Sequence, residues 1–243
     1  MATTIPVPIK KAVKGLVVMS NDLEAMGNNM FNGAVPGMWM AAAYPSRMPL
    51  GSWAKDLVLR LEFIQAWFVS KSYPSTYWLS GFYFTQAFLT GTKQNYARRS
   101  KQPIDECEYE TLVLTAAEEA ESKKTAPEDG AFVWGMFIDG AQWDRETHAM
   151  EESQPKELFV GMPTIHIKPV HHSNLEPVKD SDVGGTRHVY ISPCYKTSIR
   201  FGVLSTTGHS TNFVMFFRIP MDPKHNQRHW IKRGTAMLTQ LDD

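Results

Sequence analysis

The chain has 243 residues, 43% hydrophobic and 21% charged, which fits one large folded domain or two small packed ones and excludes a disordered chain. Its 25 basic side chains balance 25 acidic ones, with no basic run and no charged tail, so no nucleic-acid partner is expected. Cys107 and Cys194 lie far apart without metal-ligand spacing, and apolar runs such as residues 15–19 and 131–138 are too short to span a bilayer, so a soluble, intracellular protein with no membrane partner is expected.

Residues 5–8, Ile-Pro-Val-Pro, read as a stiff leader that is not helical throughout. Lys10, Lys11 and Lys14 before Leu16-Val17-Val18-Met19 imitate a secretion signal, but Ser20-Asn21-Asp22 ends the apolar stretch too soon. Residues 10–31 form a first expected helix. A short second helix opens at Val35-Pro36, and a third is capped by Gly51-Ser52. In the third, Trp53, Leu57, Leu61, Ile64 and Phe68 recur at helical spacing and mark the expected inner face, with Arg60 off that line. Tyr73-Pro74 stops it. A fourth helix over residues 80–99 carries Phe82, Tyr83, Phe84 and Phe88 just after Trp78. Apolar on several sides, it is expected to be core shared between the two halves of the chain.

After Pro103 the period becomes two. Residues 107–113, 131–138, 164–170, 187–191, 212–219, 228–232 and 235–239 are the expected strands, with turns at Asp139-Gly140 and Arg233-Gly234. Many short strands divided by Gly, Pro and Asp point to an antiparallel barrel or sandwich. Residues 115–130 suit either a short surface helix or a mobile insertion.

No phosphate-binding G-x-x-x-x-G-K-[ST] motif is present. Gly184-Gly185-Thr186-Arg187 is accounted for by a turn before a strand. Gly208-His209-Ser210 begins like a nucleophile elbow, but Asn212 stands where the motif needs its second glycine, and strands are expected on both sides. A loop of hydroxyl side chains is the simpler reading, and a hydrolase using Ser210 and His209 is the alternative. His166, His171, His172, His188 and His209 raise the possibility of a metal, but a zinc site needs three or four converging ligands. His166 and His172 point the same way on a strand yet lie too far apart unless the chain bends at Pro169. Acidic pairs such as Glu151-Glu152 fall in loops. No catalytic, cofactor-binding or metal site is expected.

Several runs taken in order carry a resemblance. They are Lys14-Gly15-Leu16-Val17-Val18-Met19-Ser20, Pro49-Leu50-Gly51-Ser52-Trp53, residues 77–91 (Tyr-Trp-Leu-Ser-Gly-Phe-Tyr-Phe-Thr-Gln-Ala-Phe-Leu-Thr-Gly) and Gln94-Asn95-Tyr96-Ala97-Arg98. Further on come Pro127-Glu128-Asp129-Gly130, Gly140-Ala141-Gln142-Trp143-Asp144, Pro155-Lys156-Glu157-Leu158, Tyr195-Lys196-Thr197-Ser198, residues 204–213 and His229-Trp230-Ile231-Lys232-Arg233-Gly234. Together they resemble the C-terminal domain of dynein heavy chains over residues 11–243, of the axonemal type and most similar to the single-headed inner-arm form. Pro193-Cys194 departs from the Cys-Pro order common in that family.

The resemblance implies an α+β fold, an N-terminal α-helical subdomain followed by an antiparallel, incomplete β-barrel. Residues 1–10 would be a leader or added segment, 11–102 the helical subdomain and 103–243 the barrel. It implies a non-catalytic role, no cofactor, packing on the AAA+ modules of the same heavy chain, and contact with microtubules only through the parent motor. The expected location is the cytoplasm and cytoskeleton, in the axoneme of a cilium or flagellum. A second alternative is a barrel that binds a small ligand or peptide. The apolar Val13, Leu16, Val17, Met19, Leu23, Met26, Met30 and Phe31 exceed one narrow stripe. They are expected either to leave an apolar patch for a neighbouring module or to be central to the domain's own core.

Overall fold

The computed structural model describes residues 6–175, 188–200 and 211–243. The fold is α+β, and the chain divides into two compact units, Met1–Leu59 with Asp242–Asp243, and Arg60–Leu241.

In the first unit the single expected helix is two. Helix α1 (Pro6–Val13) closes where the Gly15 N–H donates to the Ala12 carbonyl, with Gly15 at φ +71°. Proline is tolerated in a first turn, where its missing N–H is not needed, so the Pro6-Val7-Pro8 run is helical, where a stretch not helical throughout is expected. Helix α2 (Asn21–Phe31) restarts at Ser20, whose hydroxyl accepts from the Leu23 N–H at 3.3 Å. Helix α3 (Gly37–Ala42) follows Pro36, its N-cap. Helix α4 (Leu50–Ser70) begins one residue before the expected Gly51-Ser52 cap, with the Trp53 N–H bonded to the Pro49 carbonyl. The unit's core is built on Trp53, buried and stacked against Trp39 and Tyr44 at centroid distances of 6.0 and 5.7 Å. The Tyr44 hydroxyl donates to Asp56 at 2.5 Å.

The inner line of α4 follows the expected one at Trp53, Leu57 and Ile64, which are buried or half-buried, and departs from it at two positions. Leu61 and Phe68 are exposed, whereas Arg60 is only 2% exposed and Phe63 and Trp67 are half-buried. Arg60 holds an inner position because its surroundings satisfy it. Its guanidinium lies 5.5 Å from the centroid of the Trp78 ring and donates to the Ser80 carbonyl. The aromatic run also corrects the sequence expectation: it precedes the helix. Strand β1 (Thr76–Trp78) and a 3-10 turn (Leu79–Gly81) lead to helix α5 (Thr85–Ser100). Phe82 stacks on Phe88 at 4.5 Å, and both meet Tyr77. Helix α5 does contribute to the second unit's core through buried Leu89 and the half-buried Phe88.

Strand β2 (Cys107–Val113) is as expected. Residues 115–130 contain helix α6 (Ala116–Ser122), opened by a capping box in which Thr115 and Glu118 exchange bonds. The expected strand over 131–138 is broken into β3 (Ala131–Trp134) and β4 (Phe137–Asp139) at Gly135. Then come β5 (Gln142–Asp144), β6 (Ala149–Glu151), β7 (Phe159–Gly161) and β8 (Ile165–His171). Strands β9 (Val189–Tyr195), β10 (Phe213–Pro220) and β11 (Ala236–Leu238) complete the set. The expected strand over 228–232 is instead helix α7 (Gln227–Arg233). The Asn226 side chain accepts from the His229 N–H at its start, and left-handed Gly234 ends it.

The strands form sheets ordered β1-β3-β8-β2 and β10-β9-β11-β4-β7, with β5-β6 a separate hairpin. None of these sheets is closed into a barrel. Two pairings, β1 with β3 and β11 with β9, are parallel, where an antiparallel set is expected. One register runs through both larger sheets. Ala131 faces Ile167, Val133 faces Ile165, the Met162 N–H bonds to Met136, and Phe137 faces Gly161. Strands β3 and β4 with β8 and β7 are thus two stretches of one long hairpin, bent at Gly135. At the far edges, the Thr111 hydroxyl on β2 donates to the Arg218 carbonyl on β10 and accepts its N–H, at 2.9 and 2.7 Å. The core within this unit includes the fully buried Ile138, Ile165, Ile167, Phe217, Ile219 and Trp230. Among the described residues no helix is long and apolar enough to cross a membrane.

Candidate functional site

Among the described residues, the histidines singled out in the sequence do not converge on one point. His166 on β8 bonds through Nε2 to the Asp129 carbonyl at 2.7 Å, and burial, then Lys168, hold its imidazole below the usual range. His171 and His172 stack at 4.4 Å, and both turn to Glu106: His171 Nε2 to the carboxylate at 3.1 Å, His172 Nδ1 to the carbonyl at 3.2 Å. His188 is exposed. Gly184, Gly185, Thr186, Arg187, Gly208, His209 and Ser210 lie outside the described residues. Both cysteines are buried free thiols, and burial pushes the Cys194 thiol up.

Many of the sequence runs that carried the resemblance serve as structural joints. Gln86 donates from Nε2 to the carbonyls of Phe213 and Val214, at 3.3 and 2.7 Å, tying α5 to β10. The turn at Glu128-Asp129-Gly130 is held by Arg99, which donates to the Glu128 carbonyl at 2.8 Å and pairs with the Asp129 carboxylate. Asn212 donates to the Thr197 hydroxyl at 3.0 Å, joining two of the runs. Asp144 accepts the N–H groups of Glu146 and Thr147, which shapes the β5-β6 turn and holds its carboxyl below the usual range.

The surface offers a different feature. Leu16, Val18 and Phe31 are 70%, 88% and 92% exposed, and Val13, Val17 and Met19 are exposed as well, whereas Met26 is buried. In the first unit, apolar side chains around α1 and α2 therefore face solvent in numbers that a covered surface would explain. Of the eight apolar residues named from the sequence, Val13, Leu16, Val17, Met19 and Phe31 are exposed, Leu23 and Met30 half-buried and Met26 buried.

The family model for the C-terminal domain of the dynein heavy chain matches residues 7–239. The chain belongs to this family. It is 48% identical over 235 residues to dynein axonemal heavy chain 12 of Homo sapiens, covering 97% of this chain and 7% of that protein. It is 45% identical over 237 residues to dynein axonemal heavy chain 3 of Mus musculus, covering 98% of this chain and 5% of that protein. With dynein axonemal heavy chain 1 of Homo sapiens it shares 46% identity over 233 residues, 96% of this chain and 5% of that one. The chain thus spans well under a tenth of the length of these relatives. The hydrolase alternative, which depended on Ser210 and His209, finds no support in these relatives.

Two phenols report on the packing of this dynein domain. The Tyr109 hydroxyl donates to the Leu89 carbonyl at 2.6 Å and that of Tyr190 to the Thr235 carbonyl at 2.8 Å, and burial pushes each up to about 12. An unfolded tyrosine titrates near about 10. Between those values the folded state keeps protons that the unfolded state releases, so stability from this source is full below about pH 10 and falls as pH rises through about 12. The urea midpoint should therefore fall over that interval, with phenolate absorbance of these two groups lagging the rest. A midpoint that rises there would contradict the burial of both hydroxyls.

Proposed function

We propose that this chain is the non-catalytic C-terminal domain of an axonemal dynein heavy chain, which packs on the AAA+ modules of the same chain and regulates or stabilises microtubule-based motility. The observation that carries the reading is the family match over nearly the whole chain, at 45–48% identity to axonemal heavy chains. The exposed apolar side chains of Val13, Leu16, Val18 and Phe31 supply the kind of surface that a neighbouring AAA+ module would cover. Microtubules would be reached only through the parent motor, in the cytoskeleton of a cilium or flagellum. No nucleotide, cofactor, nucleic acid or membrane enters this role.

In the full heavy chain, Leu16→Asp combined with Phe31→Asp should change microtubule gliding velocity while leaving the domain folded. Unchanged motility would remove this surface from the proposal. Saturable micromolar binding of ATP to the 243-residue chain would overturn its non-catalytic part.

The finer reading is a helical subdomain over residues 11–102 and an incomplete, largely antiparallel β-barrel over 103–243, and the strand order supports its barrel part. The strands follow one another from β8 through β2, across Thr111 to β10, then β9, β11 and β4, and the bent hairpin returns from β4 to β8. Thr111 forms the seam with its side chain where a ladder would otherwise close the circle. Thr111→Val keeps the shape and removes both bonds, so it should cost about 1–3 kcal/mol in urea unfolding. A neutral result would mean that the seam contributes nothing to closure.

A further inference from the structure

We propose that Glu152, His225 and His229 form a binding site for one divalent transition-metal ion of the zinc class, which would pin α7 to the β5-β6 hairpin. The three side chains come from two places in the sequence. Glu152 directly follows β6, His225 precedes α7 and His229 lies within it. One potential ligand atom from each lies within 4.8 Å of the others. His229 Nε2 is already 3.1 Å from Glu152 Oε1, close to the roughly 3.3 Å that separates two ligands of a tetrahedral zinc ion. The two imidazoles lie side by side, with centroids 4.2 Å apart and planes 18° from parallel.

The frame beneath these ligands is fixed. Met221 bridges to Met150 on β6, the Asp222 N–H bonds to the Met150 carbonyl at 3.0 Å, and the His225 N–H bonds to the Asp222 carbonyl at 3.1 Å. The segment that bears His225 is thus laced to the strand that precedes Glu152. Trp230, wholly buried, anchors α7 and meets both histidine rings edge-on, at 5.4 and 4.9 Å.

Two further observations point to a ligand. His229 Nε2 is screened from solvent and has no hydrogen-bond partner of proper geometry, although the carboxylate is close. A buried polar atom left in that state costs free energy, and coordination would satisfy it. The donor set is also selective. Two imidazoles and one carboxylate suit zinc and its neighbours, whereas magnesium and calcium favour an all-oxygen shell. Water would complete the coordination.

An ion pair between Glu152 and its neighbours is the competing account. Arg233 Nη1 lies 3.3 Å from the same Glu152 Oε1, and its Nε donates to the Gly140 carbonyl at 3.4 Å. His229 Nε2 and Arg233 Nη1 thus meet at one oxygen of Glu152. With neutral imidazoles, a metal ion would take Glu152 from Arg233, which keeps Gly140. Arg233 is therefore a competitor of the ion, and this distinguishes the two accounts.

Calorimetric titration of the 243-residue chain with zinc chloride tests the site. One ion per molecule is expected, and cobalt in its place should give the visible absorption of a low-coordinate site with nitrogen and oxygen ligands. His225→Gln, His229→Gln and Glu152→Gln should each weaken binding at least about tenfold. The double variant His171→Gln with His172→Gln, at the other histidine pair, should leave it unchanged. Arg233→Met should tighten it. Binding seen only at millimolar zinc, a cobalt spectrum of six-coordinate or thiolate type, or affinity that follows only the His171-His172 pair would overturn the proposal. If the ligand variants fail to fold, the wild-type cobalt spectrum and the direction of the Arg233→Met effect still decide it, since an ion-pair cluster predicts no tighter binding.

Discussion

Gly130→Ala is expected to destabilise the protein by more than about 3 kcal/mol, a large part of the roughly 5–15 kcal/mol that holds a domain folded. Gly130 sits at φ +77°, a backbone conformation that an L side chain adopts at a cost of roughly 1–2 kcal/mol. Space is the larger problem. A Cβ there would lie 1.9 Å from the Ile167 carbonyl oxygen and 2.9 Å from the Lys168 Cα, both backbone atoms. Relief requires the start of β3 to leave β8, where Ala131 pairs with Ile167. The turn itself cannot move away freely, because Arg99 and His166 hold the two residues before it. Gly161→Ala is the control: its Cβ would meet nothing within 4 Å and its φ is ordinary, so a change within about 0.5 kcal/mol is expected. Equal urea midpoints for the two variants would refute the crowding argument.

Arg60→Met should cost roughly 2–4 kcal/mol, from the bond to the Ser80 carbonyl and the contact with the Trp78 ring. Methionine fills similar space without the donors, so the loss reports the guanidinium rather than a cavity. Arg60→Lys is expected to recover little of it, because an ammonium lacks the flat face that lies over an indole. Full recovery by lysine would show that charge alone matters. Trp78 cannot shift to accommodate the change. Added Cβ atoms at Gly81 and Gly135 would come within 2.7 and 2.4 Å of its ring, so both glycines are already pressed against it. Trp134 stacks on the indole as well, at 5.7 Å.

Arg60 also marks where sequence reasoning about helices ran out. The apolar positions of α4 point to Leu61 and Phe68, one residue from the true inner line, because a pattern of polarity cannot foresee a guanidinium paired with a distant tryptophan. Strands β2, β8 and β10 were legible, since seven or eight residues establish a period of two. Strands β1, β5, β6 and β7 have three residues each and establish none. For α7 the signals were present, Asn226 before it and Gly234 after it, but a short run around Trp230 and Ile231 also passes for a strand. That error hid the His225 and His229 spacing of four. Glu152 would have stayed hidden in any case, because only the docking of residues 221–222 on β6 brings it near. The family was legible through the order of its motifs, which the comparisons bear out, although most of those residues act as joints of the fold.

The bent hairpin and the Thr111 seam differ in the length of sequence each must close. The hairpin joins residues near one another in sequence, and the β5-β6 turn within it is shorter still, so its loops cost little entropy to form. The seam joins Thr111 to Arg218 across 107 residues. Contacts so separated are slow to form, because the entropy of closing a long loop is lost before the bond rewards it. The hairpin is therefore the expected nucleus of refolding and the seam, like the still longer-range tie from Gln86 to β10, a late step. A nascent polypeptide still emerging from the ribosome would hold the ribbon early, with β2 laid along β8 and its other edge open until β10 is made.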